Sequence, residues 1–127
     1  MYNDNVIEHF LNPRNAGYIP DPDGIGLQGD PSCGDYLRIY IKVKKNRIAD
    51  IKFEIYGCPA AIATSSALTE LAKGKTIEEA LKITDADIIT FLGGIPDPKV
   101  HCSNLGAGAL QLAIQDYQDR IAFKNNK

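Results

Sequence analysis

Four residues able to bind a soft metal or act as sulfur nucleophiles are spread along this chain: Cys33, Cys58 and the adjacent pair His101-Cys102. Thiolate and imidazole together suit zinc, iron and iron–sulfur chemistry, and a carboxylate, Asp35, stands two residues after the first cysteine. The intervals of 25 and 44 residues between successive cysteines match no local zinc-finger repeat. What the three cysteines share is position. Each stands at a junction beside Gly, Pro or His, away from the apolar faces where structural cysteines are buried. One shared metal site and three unrelated thiols are both open on this basis, and His101 beside Cys102 weighs toward the first. Asp35 taken alone is a turn or strand-start residue as readily as a ligand. Lys99 can support a nearby thiolate electrostatically or be an ordinary solvated lysine.

The totals narrow the setting. A chain of 127 residues fits a single domain over 1–127 and buries a core without staples. Three cysteines cannot all pair internally, and no secretory pattern follows Met1, so a reducing, cytoplasmic compartment is expected. No apolar run approaches the roughly 18 residues of a membrane helix. Fourteen basic against 16 acidic residues give no steering field for nucleic acid. Neither membrane nor nucleic acid is an expected partner.

The elements that must position these residues follow from periodicity. Asp4 is an N-cap candidate for a helix to Leu11, with Val6, Ile7, Phe10 and Leu11 at helical spacing and Asn12-Pro13 as the stop; His9 on it is assigned no role. Residues 14–31 are dense in Gly, Pro, Asp and Asn, which predicts turns with a short edge strand at Ile25 to Gln28. Leu37, Ile39, Ile41 and Val43 alternate with polar residues, as do Ala49, Ile51, Phe53 and Ile55, and a hairpin joins the two runs. A three-residue loop, Lys44 to Asn46, sets Ile39 opposite Ile51 and keeps the apolar faces together. Extended to its end, that register puts Cys33 opposite Gly57, with directly opposed Cα atoms about 4.5–5.5 Å apart.

Pro59 suits the first position of a helix running to Lys73, before Gly74, with Cys58 at its N-terminus, where the dipole favours thiolate. Thr76 with Glu79 forms a capping box for a helix to Ile83, and Thr84 to Leu92 is another short helix. From about Cys102 to Phe123 the stripe Leu110, Ile114, Tyr117 and Ile121, widened by Leu105, Ala109 and Ala113, predicts a long amphipathic helix. The fold class expected is α+β: a small antiparallel sheet of about three strands covered on one face by helices, with a long C-terminal helix.

The residues then carry a resemblance. Asn12-Pro13-Arg14-Asn15 with Gly17, Cys33-Gly34-Asp35, Tyr56-Gly57-Cys58, Lys73-Gly74-Lys75 and Lys99-Val100-His101-Cys102-Ser103, in that order, resemble the IscU-type (NifU-like) iron–sulfur cluster assembly scaffolds. The resemblance implies a non-enzymatic scaffold that assembles a [2Fe–2S] cluster from Fe²⁺ and sulfur supplied by a cysteine desulfurase, and hands it to apo-acceptors. It implies that Cys33, Asp35, Cys58, His101 and Cys102 form the site, with Cys102 the persulfide acceptor. Asp35 is expected to tune cluster release, since one harder ligand among thiolates weakens the hold on a thiophilic metal.

The same donors satisfy tetrahedral Zn²⁺, so a zinc-bound sulfur acceptor of the SufU type is the alternative. Against it, SufU-type proteins carry a long insertion before the last cysteine and lack the His beside it. A hydrolase built on a fixed Cys–His pair is poorly served by adjacent residues. Where family members served by an Hsp70-type chaperone carry Leu-Pro-Pro-Val-Lys, this chain has Ile95-Pro96-Asp97-Pro98-Lys99, which argues against that chaperone as a partner. Tyr2 matches a family position tied to self-association, which leaves a homodimer or higher oligomer open.

Overall fold

The structure, a computed structural model, describes residues 4–30, 35–56, 59–93 and 100–125; for residues 5, 6, 30, 35, 59–61, 100–106, 124 and 125 it describes the backbone alone. The order is α1 (Asp4–Leu11), β1 (Gly24–Asp30), β2 (Asp35–Lys44), β3 (Arg47–Tyr56), α2 (Pro59–Ala72), α3 (Ile77–Leu81), α4 (Asp85–Leu92) and α5 (Val100–Asn125). The strands form one antiparallel sheet in the order β1-β2-β3. Period-2 burial puts Leu37, Ile39, Ile41, Ile51 and Phe53 on the face that packs with Ala67, Leu68, Ile88, Leu92, Leu110 and Ile114 of the helices. The expected α+β architecture, with helices on one face, is what is observed.

The hairpin is present but its register differs from the expected one. Lys44 pairs with Arg47, so the loop is the two residues Lys45 and Asn46, both with positive φ (53° and 63°), as a type I′ turn requires. Val43 then faces Ile48 while Lys42 faces Asp50, which leaves Ala49 as the extra residue of a β-bulge. The bulge absorbs the slip that a two-residue turn would otherwise carry along the strand. Ile39 accordingly faces Phe53 rather than Ile51, and Ile48 rather than Ala49 is buried.

Local rules account for the helix boundaries. Thr76 Oγ1 accepts the Glu79 N–H at 3.1 Å and Glu79 returns an acceptor to the Thr76 N–H at 3.0 Å; Thr84 and Asp87 form a second capping box, with Asp in place of the usual Glu or Gln. Gly93, at φ 83°, ends α4 in the left-handed conformation that needs no Cβ. Asp4 lies in the first turn of α1 instead of capping it, where its charge still suits the dipole. Among the described side chains of α1, His9 is turned inward at 7% exposure, while Ile7 and Leu11 face solvent. On α5, Leu110 and Ile114 are buried as expected, but Ile121 is exposed because the helix there has run past the sheet.

Candidate metal centre

Two of the predicted site residues, Cys33 and Cys58, lie outside the described residues, as does Lys99. For Asp35, His101 and Cys102 the backbone is described: Asp35 opens β2, and His101-Cys102 stand in the first turn of α5. The element ends that flank these residues are well defined. At one end of the sheet Asp30 pairs with Asp35 and Tyr36 with Tyr56. Pro59 opens α2 three residues after Tyr56. The start of β2, the end of β3 and the start of α2 therefore share one end of the molecule. The expected opposition of Cys33 and Gly57 lies outside the described residues, and the register from which it was deduced is not the one observed.

The packing of α5 brings its first turn to the same end. Gly24 lies against Ala113 and Tyr117, Gly26 against Ala109 and Ala113, and Gly108 beside the Gln28 side chain, so α5 runs antiparallel to β1. The approach is close: a Cβ on Gly26 would meet the Ala109 carbonyl oxygen at 2.1 Å and the Ala113 nitrogen at 2.5 Å. Gly26, inside the expected edge strand, and Gly24, expected in a turn just before it, are both strand residues whose missing side chains let a helix lie on them. Polar contacts fix the lengthwise register. Asp116 Oδ2 accepts the Ile25 N–H at 2.9 Å and pairs with Arg120 at 2.9 Å, and Arg120 donates to the Pro22 carbonyl at 3.0 Å. Six residues of helix separate Gly108 from Cys102, about 9 Å of rise, against about 7 Å of strand from Gln28 to Asp30. His101 and Cys102 thus come level with the Asp30–Asp35 end. Being adjacent, they project about 100° apart around the helix.

The scaffold behind this end is tied together by buried polar groups of α2. Ser66 Oγ accepts the Arg14 N–H at 2.8 Å and lies 2.8 Å from His9 Nδ1. Because that oxygen already accepts one N–H, the arrangement suits a neutral imidazole taking the serine proton. Burial lowers the His9 pKa, with Arg14 adding to the shift. Asn15 donates to Thr69 Oγ1 at 3.0 Å, and along the edge of β3 the Phe53 N–H donates to the Asn15 carbonyl at 3.0 Å while the Gly17 N–H donates to the Phe53 carbonyl at 2.8 Å. Where α4 meets α5, burial raises the Asp85 carboxyl while the Ala107 amide opposes the shift. Sequence reasoning singled out neither Asp85 nor Asp116, because each acts on backbone far away in the chain. Among the described residues no group of three or more His, Cys, Asp or Glu is placed to hold a metal, so the candidate centre rests on the residues named from sequence and the element ends around them.

An α+β domain in which the element ends next to three cysteines, an aspartate and a histidine of the sequence share one end of the sheet is the class that emerges. The family described as NifU-like N terminal domain matches residues 1–124, and the chain belongs to that family. Two proteins of Archaeoglobus fulgidus, named Iron-sulfur cluster assembly scaffold protein IscU 1 and IscU 2, are each 64% identical to it over 117 residues, covering 92% of this chain and 76% of theirs. The protein of that name from Aquifex aeolicus is 50% identical over 118 residues, covering 91% and 75%. In structure, the N-terminal part of a NifU-like protein from Brucella abortus superposes with a TM-score of 0.77 at 18% identity, over 93% of this chain and 94% of that one, a likeness of fold. No helix among the described residues is long and apolar enough to cross a membrane.

Proposed function

We propose that this chain is a scaffold on which a [2Fe–2S] cluster is assembled and from which it is passed to apo-acceptor proteins. The observation that carries the reading is the meeting, at one end of the sheet, of the element ends next to all five candidate ligands, in a chain 64% identical to proteins named as such scaffolds. Cys33, Cys58 and Cys102 supply three thiolates, and Asp35 or His101 the fourth ligand. The Cys102 thiolate first attacks the outer sulfur of a persulfide on a cysteine desulfurase, forming a new S–S bond and releasing the desulfurase thiolate. Two electrons per sulfur from a thiol or an electron-carrier protein then reduce it to sulfide. Lys99 supports the Cys102 thiolate. A cluster held by three soft ligands and one harder one leaves more easily than one held by four thiolates, and Asp35 is the residue assigned to that release.

Anaerobic incubation with Fe²⁺, a cysteine desulfurase and cysteine tests this. Visible charge-transfer absorption should grow on the protein and move to an apo-ferredoxin, and Asp35→Ala should slow the move. Persulfide relay by a zinc-loaded protein that never yields a cluster would replace the scaffold reading with that of a zinc-bound sulfur acceptor, for which the same donors form a tetrahedral site.

A further inference from the structure

The sheet face turned away from the helices is built from large aromatic and basic side chains. Tyr36, Arg38 and Tyr40 of β2 lie beside Lys52 and Tyr56 of β3, and Leu27 of β1 is opposite Arg38. The Tyr36 and Tyr56 rings are 6.4 Å apart and within 6° of parallel, and the Arg38 guanidinium sits 5.9 Å from the Tyr36 centroid. Tyr56 is 64% and Leu27 41% exposed. Tyrosine and arginine held in fixed positions yet left in water are the residues that dominate protein–protein contacts. Their contiguity marks an interaction surface.

The patch adjoins the candidate centre. Tyr36 follows Asp35 and Tyr56 is two residues before Cys58, whereas α5 lies on the opposite, inner face. A partner seated on the outer face reaches the centre past the ends of β2 and β3 and leaves the α5 side free.

Charge selects the partner. Glu54 is engaged by Arg38 at 3.5 Å and by the Tyr40 hydroxyl, Lys42 pairs with Asp21 and Asp23, and Asp50 with Lys73. Lys44 and Lys52 stand in no ion pair among the described residues. Lys42 faces two carboxylates, which leaves one negative charge at that margin, and the unpaired Lys44 and Lys52 still leave the face net positive on a chain of net charge −2. A second copy docked through the same face about a twofold axis would set like charges together. An acidic surface meets them favourably.

We propose that this outer face docks an acidic acceptor protein that takes the cluster, so that sulfur enters from the α5 side and the cluster leaves from the sheet side. The proposal rests on the scaffold reading above. The transfer is a ligand exchange: each of the four iron–ligand bonds to the scaffold, three to thiolates and one to Asp35 or His101, is replaced by a bond to an acceptor cysteine, whose proton passes to the freed group, with no change in oxidation state.

The test uses Lys52→Glu and Tyr56→Ser, with the apo form of an acidic [2Fe–2S] ferredoxin as probe and circular dichroism as the check on folding. Desulfurase-driven assembly should stay within about twofold of wild type, while the second-order transfer rate falls about tenfold in each variant. Added salt should slow wild-type transfer and leave Lys52→Glu unaffected. Transfer within twofold of wild type in both variants overturns the proposal. So does a parallel loss of assembly, which would give the face to the sulfur donor, or a wild-type dimer in sedimentation that Tyr56→Ser abolishes. A wild-type protein that builds no cluster overturns the scaffold reading together with this inference, whereas normal assembly with unaltered transfer overturns the inference alone.

Discussion

The two faces of the sheet obey different rules. The inner face carries Leu37, Ile39, Ile41, Ile51 and Phe53 beside the bare backbone of Gly24 and Gly26, all buried under helices. The outer face carries half-exposed tyrosines, arginine and lysines that no helix covers, with Tyr36 stacked on Tyr56, Arg38 over Tyr36 and Tyr40 edge-on to Tyr18. Volume and close approach decide the inner face, where a methyl group too many or too few is felt. On the outer face the same change leaves the fold alone and alters what the surface can bind. The difference separates stability from recognition across the thickness of one sheet, and it can be probed residue by residue.

Ile39→Ala should have the largest effect, lowering unfolding free energy in a denaturant titration by about 2–5 kcal/mol, because a fully buried side chain leaves a cavity. Gly26→Ala should cost about 3 kcal/mol, since the added Cβ meets backbone atoms of α5 that no rotamer change can clear. A loss below about 0.5 kcal/mol would mean that α5 does not lie on β1 as described. Asp116→Ala removes the acceptor for the Ile25 N–H and should cost about 1 kcal/mol. Lys52→Ser, on the outer face and in no ion pair among the described residues, should change stability by no more than about 0.5 kcal/mol, and a loss comparable to that of Ile39→Ala would erase the distinction between the faces.

A pH titration sharpens the same point from the helical side. His9 is buried and its folded-state pKa lies below the ordinary imidazole value of 6.5. The unfolded chain then takes up the proton more readily, so this contribution to stability is complete above about pH 6.5 and is lost as pH falls from there toward the depressed folded value. The groups that set it are Ser66 and Phe91 in contact, with Arg14, Glu8 and Glu70 around them. His9→Asn should flatten the dependence in that window.

The sequence made the elements legible where a local rule governs them. The capping box at Thr76, Pro59 at the start of α2 and the alternation of β2 are each set by a few neighbouring residues. The hairpin register was not legible, because alternation looks the same on either side of a bulge and nothing in Ala49 marks it as the extra residue. Gly24 and Gly26 were legible as glycines but not as a helix seat, since the partner, Ala109 to Ala113, is more than eighty residues away. Of the candidate centre, the residue types came from the sequence, and the structure adds that the elements next to them share one end of the sheet.

The most direct test of the account is the cluster content of anaerobically reconstituted protein in wild type and in Cys33→Ala, Cys58→Ala and Cys102→Ala, read by visible absorption and by iron and sulfide analysis. Wild type should hold a [2Fe–2S] cluster, and each of the three variants should lose it. A cluster with wild-type absorption in any one of them would contradict it.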